Sequence, residues 1–514
     1  MGIPSYFRHL TRSLDGLLVR NVPKEVSWLC LDFNCMIYHV LQRPDCVIGG
    51  GEAWEAEFMN EIVRYVMKVV RHVGPKVGVF LGVDGVVPMA KIKQQRMRRF
   101  RGGEGVTEVT DTPKFNKNAI TPGTDFMKRL GERLTRMAGE HRDIRWKLSL
   151  ADEPGEGEHK LMAFIRAMSE PKNIVIYGLD ADLIVLSLLV SMEKSIENVW
   201  LFREVMESSG GGGIKRDALG EEEFHFFAIS ALIRYIRERG GSGSGIGKGY
   251  LIDYCNAMML LGNDFLPTSM TFRIREDGHE ELCKMIREIR ELDDEVNADE
   301  ETPVTNLMIG IFERLAKEEE GRFYRTCTRK LNSAVPPREE DGPIQWKGEA
   351  IFFHPHPTKR ILNRDWRDIY YRTCLGGVEK SRVVQEYWRG MRWVLDYYKG
   401  RAVNMSWMYS WHYPPLWEDV LSGFWDDGAA AAVAAAEESI TPTEQLALVL
   451  PVRDWNLLPK CAKERKLPLI APEWFPEKFG LTHIGRMWLW ECEPEIPIPI
   501  PREMRERLSG SKYN

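Results

Sequence analysis

Three short apolar runs in the first half of the chain each end at an aspartate. They are Trp28–Asp32, Val77–Asp84 and Ile174–Asp180. Because each run is short and rich in bulky or β-branched side chains, the pattern predicts buried β-strands. Between the runs, residues 54–72 and 124–139 repeat apolar positions with helical spacing. This alternation predicts an α/β fold with a largely parallel central sheet flanked by helices.

The second half of the chain has a different character. An acidic run at residues 291–303 separates the halves, and beyond it Trp and Tyr become frequent. We predict a first domain at 1–290, an acidic linker at 291–303 and a mainly helical, aromatic-rich region at 304–514 that packs on the first domain and completes its site. Two glycine-rich stretches, 210–213 and 240–249, are predicted to be surface loops.

Charge is nearly balanced over the chain. Of 514 residues, 70 are Lys or Arg and 75 are Asp or Glu, so the formal net charge is -5. This excludes a protein that coats nucleic acid through bulk charge, so phosphate binding would require a local basic patch. The nine cysteines are scattered without a CxxC pair, which favours a reducing compartment. The sequence shows no signal peptide and no apolar run long enough to span a membrane. We therefore expect an intracellular protein that does not bind membranes and that is located in the cytoplasm or, alternatively, in the nucleus.

Seven acidic residues are candidate ligands for divalent cations. Three follow the predicted strands, at the edge where the carboxyl ends of parallel strands form a ligand-binding crevice. Taken singly, each could instead cap a helix or form a turn. Like charges a few ångströms apart repel, so these acids would need bound cations if they converge. Ligand sets made only of oxygen atoms suit Mg²⁺ or Mn²⁺. A pair of such ions commonly catalyses phosphodiester hydrolysis. The acids are Asp32, Asp84, Glu156, Glu158, Asp180, Asp182 and Asp264.

A basic segment and two aromatic segments accompany these acids. Residues Met89–Arg101 hold six basic residues and no acidic one. As a helix, the segment would place four polar side chains on one face: Lys91, Gln95, Arg98 and Arg99. Such a face is most often solvated, but this one begins just past Asp84 and could clamp a substrate phosphate. The rings of Trp393–Tyr398 and Trp407–Tyr413 are expected to be mostly core, although an exposed ring could stack on a base.

The order of these motifs along the chain is also informative. In the first half the stretches are Met1–Arg8, Leu31–Asn34, Val83–Pro88 with Lys91–Arg101, Asn118–Thr124, Pro154–Lys160, Gly178–Leu183 and Gly262–Pro267. In the second half they are Trp393–Tyr398, Ser406–Tyr413 and Glu444–Pro451. Together they resemble the XRN-type 5′-to-3′ exoribonuclease family over nearly the whole chain. The resemblance implies a nuclease core of the PIN/FEN type.

The resemblance also implies a role for each candidate residue. The seven acids would bind two Mg²⁺ ions, with Mn²⁺ as a substitute, and would carry the catalysis. Lys91, Gln95, Arg98 and Arg99 would hold a 5′-monophosphate, and Trp407 would stack on the 5′-terminal base. The family degrades single-stranded, 5′-monophosphorylated RNA processively to mononucleotides. We therefore expect such an RNA as the partner, and a monomeric protein.

Some positions depart from the family pattern. The family usually has Gly and His where this chain has Cys35 and Tyr38, and we expect Tyr38 to replace the His as a stacking ring. Thr268–Met270 replaces a usual His-Leu-Pro, and the short internal loops suggest a compact, viral or divergent member. Two alternatives stay open: a flap-type structure-specific DNA endonuclease, and an inactive RNA-binding or scaffold protein. Because no feature reads the 2′-hydroxyl, single-stranded DNA also stays open as a substrate.

Overall fold

The computed structural model of the protein describes most of the chain. The described residues are 2–43, 46, 48–102, 114–205, 214–217, 220–239, 248–292, 306–334, 346–356, 359–427, 439–463 and 466–510. The predicted loop at 210–213, most of that at 240–249 and nearly all of the predicted linker at 291–303 lie outside these ranges. Within them, no helix combines the length and the apolar character that crossing a membrane requires.

The apolar runs of the first half lie side by side in a seven-stranded sheet. Its strands are β1 (Leu18–Val19), β2 (Trp28–Asp32), β3 (Gly78–Gly82), β4 (Trp146–Ser149), β5 (Ile174–Tyr177), β6 (Val199–Glu204) and β7 (Phe224–Ala228). They are arranged in the order β1-β7-β6-β5-β2-β3-β4. Neighbours from β4 to β6 pair in parallel, whereas β7 pairs antiparallel with both β6 and β1. The predicted largely parallel sheet is confirmed.

Helices of the first half cover both faces of the sheet. They are α1 (Tyr6–Ser13), α2 (Phe33–Gln42), α3 (Glu52–Val73), α4 (Met89–Arg101), α5 (Asp125–Glu140), α6 (Gly157–Ala167), α7 (Asp182–Lys194), α8 (Ile229–Arg239), α9 (Lys248–Met258) and α10 (Gly278–Leu292). Successive strand residues point to opposite faces. Leu29 and Leu31 therefore pack with α2, α3 and α5, whereas Cys30 packs with α6 and α7. The helices predicted at 54–72 and 124–139 are confirmed as α3 and α5.

The second half is mainly helical, as predicted. Its helices are α11 (Asn306–Asn332), α12 (Trp366–Cys374), α13 (Lys380–Tyr398), α14 (Trp417–Asp427), α15 (Pro442–Val449), α16 (Lys460–Lys463), α17 (Leu467–Ile470) and α18 (Pro501–Gly510), and β8 (Phe353–His354) pairs with β9 (Ile361–Leu362). Short 3₁₀ helices lie at Lys117–Ala119, Met259–Leu261, Ile274–Glu276, Gly348–Phe352, Val452–Leu457, Pro472–Trp474 and Leu489–Glu491. Trp393 and Trp417 share one apolar core with α6 and α7, so the two halves pack together. The domain division at 291–303 stays a prediction.

Candidate active site

The candidate site lies where the chain changes direction across the sheet. After β2 the chain forms β3 and β4 on one side, then returns to form β5 on the other side of β2. The carboxyl ends of β2 and β5 therefore flank the crevice in which α/β proteins usually bind ligands. Asp32 ends β2, Asp84 follows β3 and Asp180 follows β5. The fold thus brings three of the predicted acids to one edge of the sheet.

Helix N-termini bring three further acids to this edge. Glu156 is the N-cap of α6, Glu158 lies in the first turn of that helix, and Asp182 is the first residue of α7. All three side chains are buried. The partial positive charge of a helix N-terminus stabilises a nearby carboxylate. Two helix ends therefore offset part of the repulsion among these acids.

Gly157 allows α6 to approach the strands closely. A Cβ atom at this position would lie 2.7 Å from Asp32 Oδ1 and 2.7 Å from the Gly82 carbonyl oxygen. The Gly157 N–H also donates a hydrogen bond of 2.7 Å to Asp84 Oδ1. A side chain at position 157 would push the helix away from both aspartates, so the glycine sets the separation between α6 and the strand acids.

Three acids form the densest part of the cluster. Glu158, Asp180 and Asp182 each offer a carboxylate oxygen, and these oxygens all lie within 4.8 Å of one another. Among the described residues, the buried atoms Glu158 Oε2 and Asp182 Oδ1 have no hydrogen-bond partner. Buried oxygen atoms without partners are costly unless a cation or water satisfies them. An all-oxygen donor set of this kind fits Mg²⁺ or Mn²⁺.

Lys91 supplies a positive charge inside the cluster. Its ammonium lies 2.5 Å from Glu156 Oε2 and 2.8 Å from Asp264 Oδ2. Burial alone would raise the pKa of Asp264, but the charge of Lys91 holds that pKa below its usual range. Burial would likewise lower the pKa of Lys91, but Asp264 and Glu156 raise it. The structure therefore places Lys91 among the acids, at the start of the basic helix.

Protons compete with cations for the other acids. Burial raises the pKa of five carboxyl groups, and neighbouring carboxylates add to the effect. For Asp182, burial and the nearby Asp264 and Asp180 raise the pKa to about 7. A divalent cation would displace such protons because it satisfies the carboxylates electrostatically. The five groups are Asp32, Asp84, Glu156, Glu158 and Asp182.

Tyr397 is a site residue that sequence reasoning missed. Its hydroxyl donates a hydrogen bond of 2.8 Å to Glu156 Oε1, and its ring centroid lies 3.8 Å from that of His159. Burial, with a contribution from Lys91, lowers the pKa of His159 to about 3, so this imidazole stays neutral. Tyr397 is four residues after Trp393 on α13, so the two rings share a helix face and stack with centroids 4.8 Å apart. The aromatic motif alone does not indicate which tyrosine reaches a carboxylate.

The remaining members of the predicted phosphate clamp lie further along α4. Gln445 Nε2 donates to Gln95 Oε1 over 3.3 Å. Arg99 Nη1 donates to Asn118 Oδ1 over 3.0 Å. Arg98 is exposed, and its guanidinium forms no hydrogen bond or ion pair with another described residue. The helix therefore presents one unpaired guanidinium beside two side chains that its neighbours already hold in place.

The other face of α4 is buried rather than solvated. Arg96 is completely buried and donates to the carbonyl oxygens of Leu448, Trp474 and Pro497. Lys93 is also buried and donates to the Tyr409 carbonyl over 2.7 Å. The sequence pattern does not distinguish these two residues from the rest of the basic run. Their carbonyl partners come from the second half of the chain, which no local pattern reveals.

The two predicted stacking rings have different surroundings. Trp407 is only 8% exposed, its ring centroid lies 5.3 Å from that of Trp393, and its Nε1 donates to Glu386 Oε2 over 3.2 Å. Most of this indole therefore serves as core. Tyr38 is half-buried and close enough to Arg99 to raise the pKa of that guanidinium, although burial lowers it by more. The stacking role of each ring stays a prediction.

Comparison with known proteins relates this geometry to a family. The family model described as "XRN 5'-3' exonuclease N-terminus" matches residues 1–204, and that described as "Xrn1 helical domain" matches residues 356–498. The chain is also similar to a solved structure of the catalytic core of Rad2 in complex with DNA substrate, with 14% identity, 73% of this chain and 95% of that chain covered, and a TM-score of 0.33.

Curated relatives match along almost the whole chain. The human "5'-3' exoribonuclease 1" is 27% identical, over 100% of this chain and 34% of the relative. The Schizosaccharomyces pombe "5'-3' exoribonuclease 1" is 24% identical, over 97% of this chain and 48% of the relative. The chicken "5'-3' exoribonuclease 2" is 25% identical, over 99% of this chain and 70% of the relative. The chain thus spans about a third to a half of the first two relatives. With two family models matching in order, the chain belongs to the XRN family.

Proposed function

We propose that this protein is a Mg²⁺-dependent exoribonuclease that degrades single-stranded, 5′-monophosphorylated RNA processively from its 5′ end to mononucleotides. The observation that carries the proposal is the cluster of acids at the ends of β2 and β5, in which two buried oxygens have no partner among the described residues. Family membership and the names of the curated relatives support the direction of degradation and the choice of RNA.

The seven acids would together bind two cations. Glu158, Asp180 and Asp182 have converging oxygens and would form one set of ligands. Asp32, Asp84, Glu156 and Asp264 would complete the sites, and Lys91 would balance the charge that remains. Bound Mg²⁺ would supply Lewis-acid stabilisation of the reacting phosphate and would lower the pKa of the attacking water. Tyr397 would hold Glu156 in its orientation through the observed hydrogen bond.

The basic helix would connect this chemistry to the end of the RNA. Lys91 lies among the acids, and Arg98 is seven positions further along α4, which corresponds to about 10 Å of helix rise. Arg98 and Arg99, with Gln95, would hold the terminal phosphate, because a guanidinium fits phosphate oxygens with two hydrogen bonds. A clamp at a fixed distance from the acids would place the same phosphodiester at the acids in every cycle. Tyr38 and Trp407 would then support the terminal bases.

The decisive experiment compares RNA substrates that differ only at the 5′ end. One 3′-labelled single-stranded RNA carries in turn a 5′-monophosphate, hydroxyl, triphosphate or cap, and each is incubated with the protein with and without Mg²⁺. We expect rapid loss of the monophosphate RNA alone, only with Mg²⁺ and without accumulating intermediates. A single-stranded DNA of the same sequence measures the selectivity for ribose.

Other outcomes would favour the alternatives. Internal cuts that do not depend on the 5′ group, or cleavage of a branched DNA, would support a structure-specific endonuclease. Retained RNA binding without Mg²⁺-dependent turnover would support an RNA-binding or scaffold protein.

A further inference from the structure

A second cluster of metal-ligand side chains lies apart from the carboxylate site. His9 is on α1, and His279 and Glu280 are in the first turn of α10. His9 Nε2 lies 3.1 Å from His279 Nδ1 and 2.8 Å from Glu280 Oε1. The three donor atoms all lie within 4.8 Å of one another. His279 is buried, whereas His9 and Glu280 are partly exposed, so a small ion could reach the cluster from solvent.

Hydrogen bonds alone satisfy this arrangement only weakly. His9 Nε2 carries at most one hydrogen, yet it faces two atoms at hydrogen-bonding distance. If His279 Nδ1 carries the hydrogen, it donates to the lone pair of His9 Nε2. His9 Nε2 then has no hydrogen to donate to the Glu280 carboxylate, which it also faces. If His9 Nε2 carries the hydrogen, Nδ1 and Oε1 must share it. In addition, Glu280 Oε2 is buried and has no partner among the described residues.

A divalent cation resolves the problem because it accepts all three lone pairs. Two imidazoles and one carboxylate form a donor set typical of Zn²⁺, with a fourth position left for water. Zinc–nitrogen distances of about 2.0–2.1 Å imply donor atoms about 3.3 Å apart in a tetrahedron. The two observed separations, 2.8 and 3.1 Å, are within about half an ångström of that value. Mg²⁺ fits less well because it prefers oxygen ligands.

The surroundings of His279 orient it for such a role. Its Nε2 lies 2.8 Å from the Tyr254 hydroxyl, which in turn contacts the Tyr6 hydroxyl. Both tyrosines are completely buried. A partner on the far nitrogen of a histidine fixes the ring and leaves the near nitrogen available as a ligand. His279 Nδ1 is therefore held in position, facing His9.

We propose that His9, His279 and Glu280 form a zinc site that joins α1 to α10. The segment before α1 reaches the carboxylate cluster, because a Cβ on Gly2 would lie 2.5 Å from Asp182 Oδ1 and one on Gly262 would lie 2.6 Å from Pro4 Cδ. Zinc would therefore hold the start of the chain against the candidate active site. The zinc site does not depend on the proposed function, since its ligands are separate from the seven acids.

Zinc binding by purified, tag-free protein tests this proposal. Mg²⁺ is removed, ZnCl₂ is titrated by calorimetry, bound zinc is counted after gel filtration, and thermal unfolding is followed with and without zinc. We expect wild type to bind a zinc ion that raises its unfolding temperature. Glu280→Gln should weaken this binding by at least about tenfold and remove the temperature shift. Asp180→Asn should keep both, which separates this site from the carboxylate cluster.

The neighbouring acid provides a matched control. Glu281 pairs with Arg322 over 2.8 Å instead of facing the histidines, so Glu281→Gln should keep zinc affinity even if it lowers stability. His9→Gln is a second test from the opposite helix and should behave as Glu280→Gln does. The proposal is overturned if wild type binds no zinc, if zinc binding is lost in Asp180→Asn, or if Glu280→Gln and His9→Gln bind zinc as tightly as Glu281→Gln.

Discussion

The seven acids are not equivalent at the scale of single residues. Asp264 and Glu156 share the ammonium of Lys91, whereas Glu158 and Asp182 each keep a buried oxygen without a partner among the described residues. Because Lys91 already neutralises one side of the cluster, the need for external cations is greatest on the other side. The acids near Glu158 and Asp182 are therefore the most sensitive positions for substitution.

Asp180→Asn should abolish hydrolysis and leave the fold intact. Asp180 offers an oxygen to the group formed with Glu158 and Asp182, and an amide is a much weaker cation ligand than a carboxylate. We expect the turnover rate of 5′-monophosphorylated RNA to fall on the order of 100-fold or more. Asp152→Asn, an exposed acid before α6, is the control and should remain active. Substantial activity in purified Asp180→Asn would contradict the metal assignment.

Sequence spacing predicts individual carboxylates better than their partners. The strand-ending aspartates could be identified because the carboxyl ends of parallel strands meet at one edge. The contact from Tyr397 to Glu156 joins residues 241 positions apart, so no local pattern contains it. Helical spacing placed Lys91 with Arg98 and Arg99, but the acids that attract its ammonium belong to other elements. Long-range charge pairing therefore limits prediction at this scale.

At the scale of elements, the two faces of α4 have different surroundings. Arg98 is exposed and Arg99 donates to Asn118, whereas Lys93 and Arg96 donate to carbonyl oxygens of the second half. The basic composition of the helix was evident from the sequence. Its division into an exposed and a buried face was not, because the apolar and basic positions are interleaved in Met89–Arg101.

The double substitution of Arg98→Ala and Arg99→Ala should remove the preference for a 5′-phosphate. Charge-assisted hydrogen bonds contribute about 1.5–3 kcal/mol each. The loss of even one of them should lower the ratio of kcat/KM for 5′-phosphate over 5′-hydroxyl RNA by roughly tenfold to 100-fold, and the loss of both by more. Arg142→Ala, at an exposed arginine outside α4, should leave the ratio unchanged. Equal losses on both RNAs would argue against a phosphate clamp at these residues.

Arg96→Met should destabilise the protein although it removes a buried charge. Methionine fills much of the space, but three carbonyl oxygens lose their donor. Each unsatisfied buried group costs about 1–3 kcal/mol, so we expect a loss of about 3 kcal/mol or more in the free energy of unfolding, measured by denaturant titration. Arg98→Met on the exposed face should change it by less than about 0.5 kcal/mol. Similar losses in both variants would refute the distinction between the faces.

At the scale of the whole molecule, stability should depend on pH and Mg²⁺ together. Five acids have a pKa raised by burial, to about 7 for Asp182. Between about pH 4 and 7 the folded protein therefore keeps protons on these acids that the unfolded chain has released, so their contribution to metal-free stability falls as pH rises. His159, whose pKa is lowered to about 3, contributes in the opposite sense between about pH 3 and 6.5. Asp264 has a lowered pKa and acts in the opposite sense, but only at lower pH. Cation binding replaces the protons, so its stabilising effect grows with pH.

Thermal unfolding measures this coupling directly. With EDTA, the unfolding temperature of wild type relative to that of Asp182→Asn should be lower at pH 7.5 than at pH 5.5. Added Mg²⁺ should raise it at both values, and by more at pH 7.5. Asp182→Asn should reduce the pH dependence because it removes the group with the pKa of about 7. A Mg²⁺ effect that is absent or independent of pH would contradict this account.

The architecture of the whole molecule was only partly evident from the sequence. The three apolar runs correspond to β2, β3 and β5, which lie together at the centre of the sheet. At the edge of the sheet, three of the four positions of Trp146–Ser149 are partly or fully exposed, so this strand lacks a continuous apolar run. The two-residue strand β1 pairs only with β7 among the described strands, and β7 pairs with β6 as well. The three neighbouring strands with continuous apolar runs were therefore found, whereas the strands on either side of them, β1, β4, β6 and β7, were missed.

The carbonyl partners of Arg96 have a consequence for synthesis of the protein in the cell. Pro497, the most distant of them, lies 401 positions after Arg96. At about 5–20 residues per second, a ribosome needs roughly 20–80 s to make that stretch. Throughout this interval α4 has emerged but cannot yet bury its arginine. We expect the nascent chain to remain without a finished phosphate clamp while its own messenger RNA is still being translated.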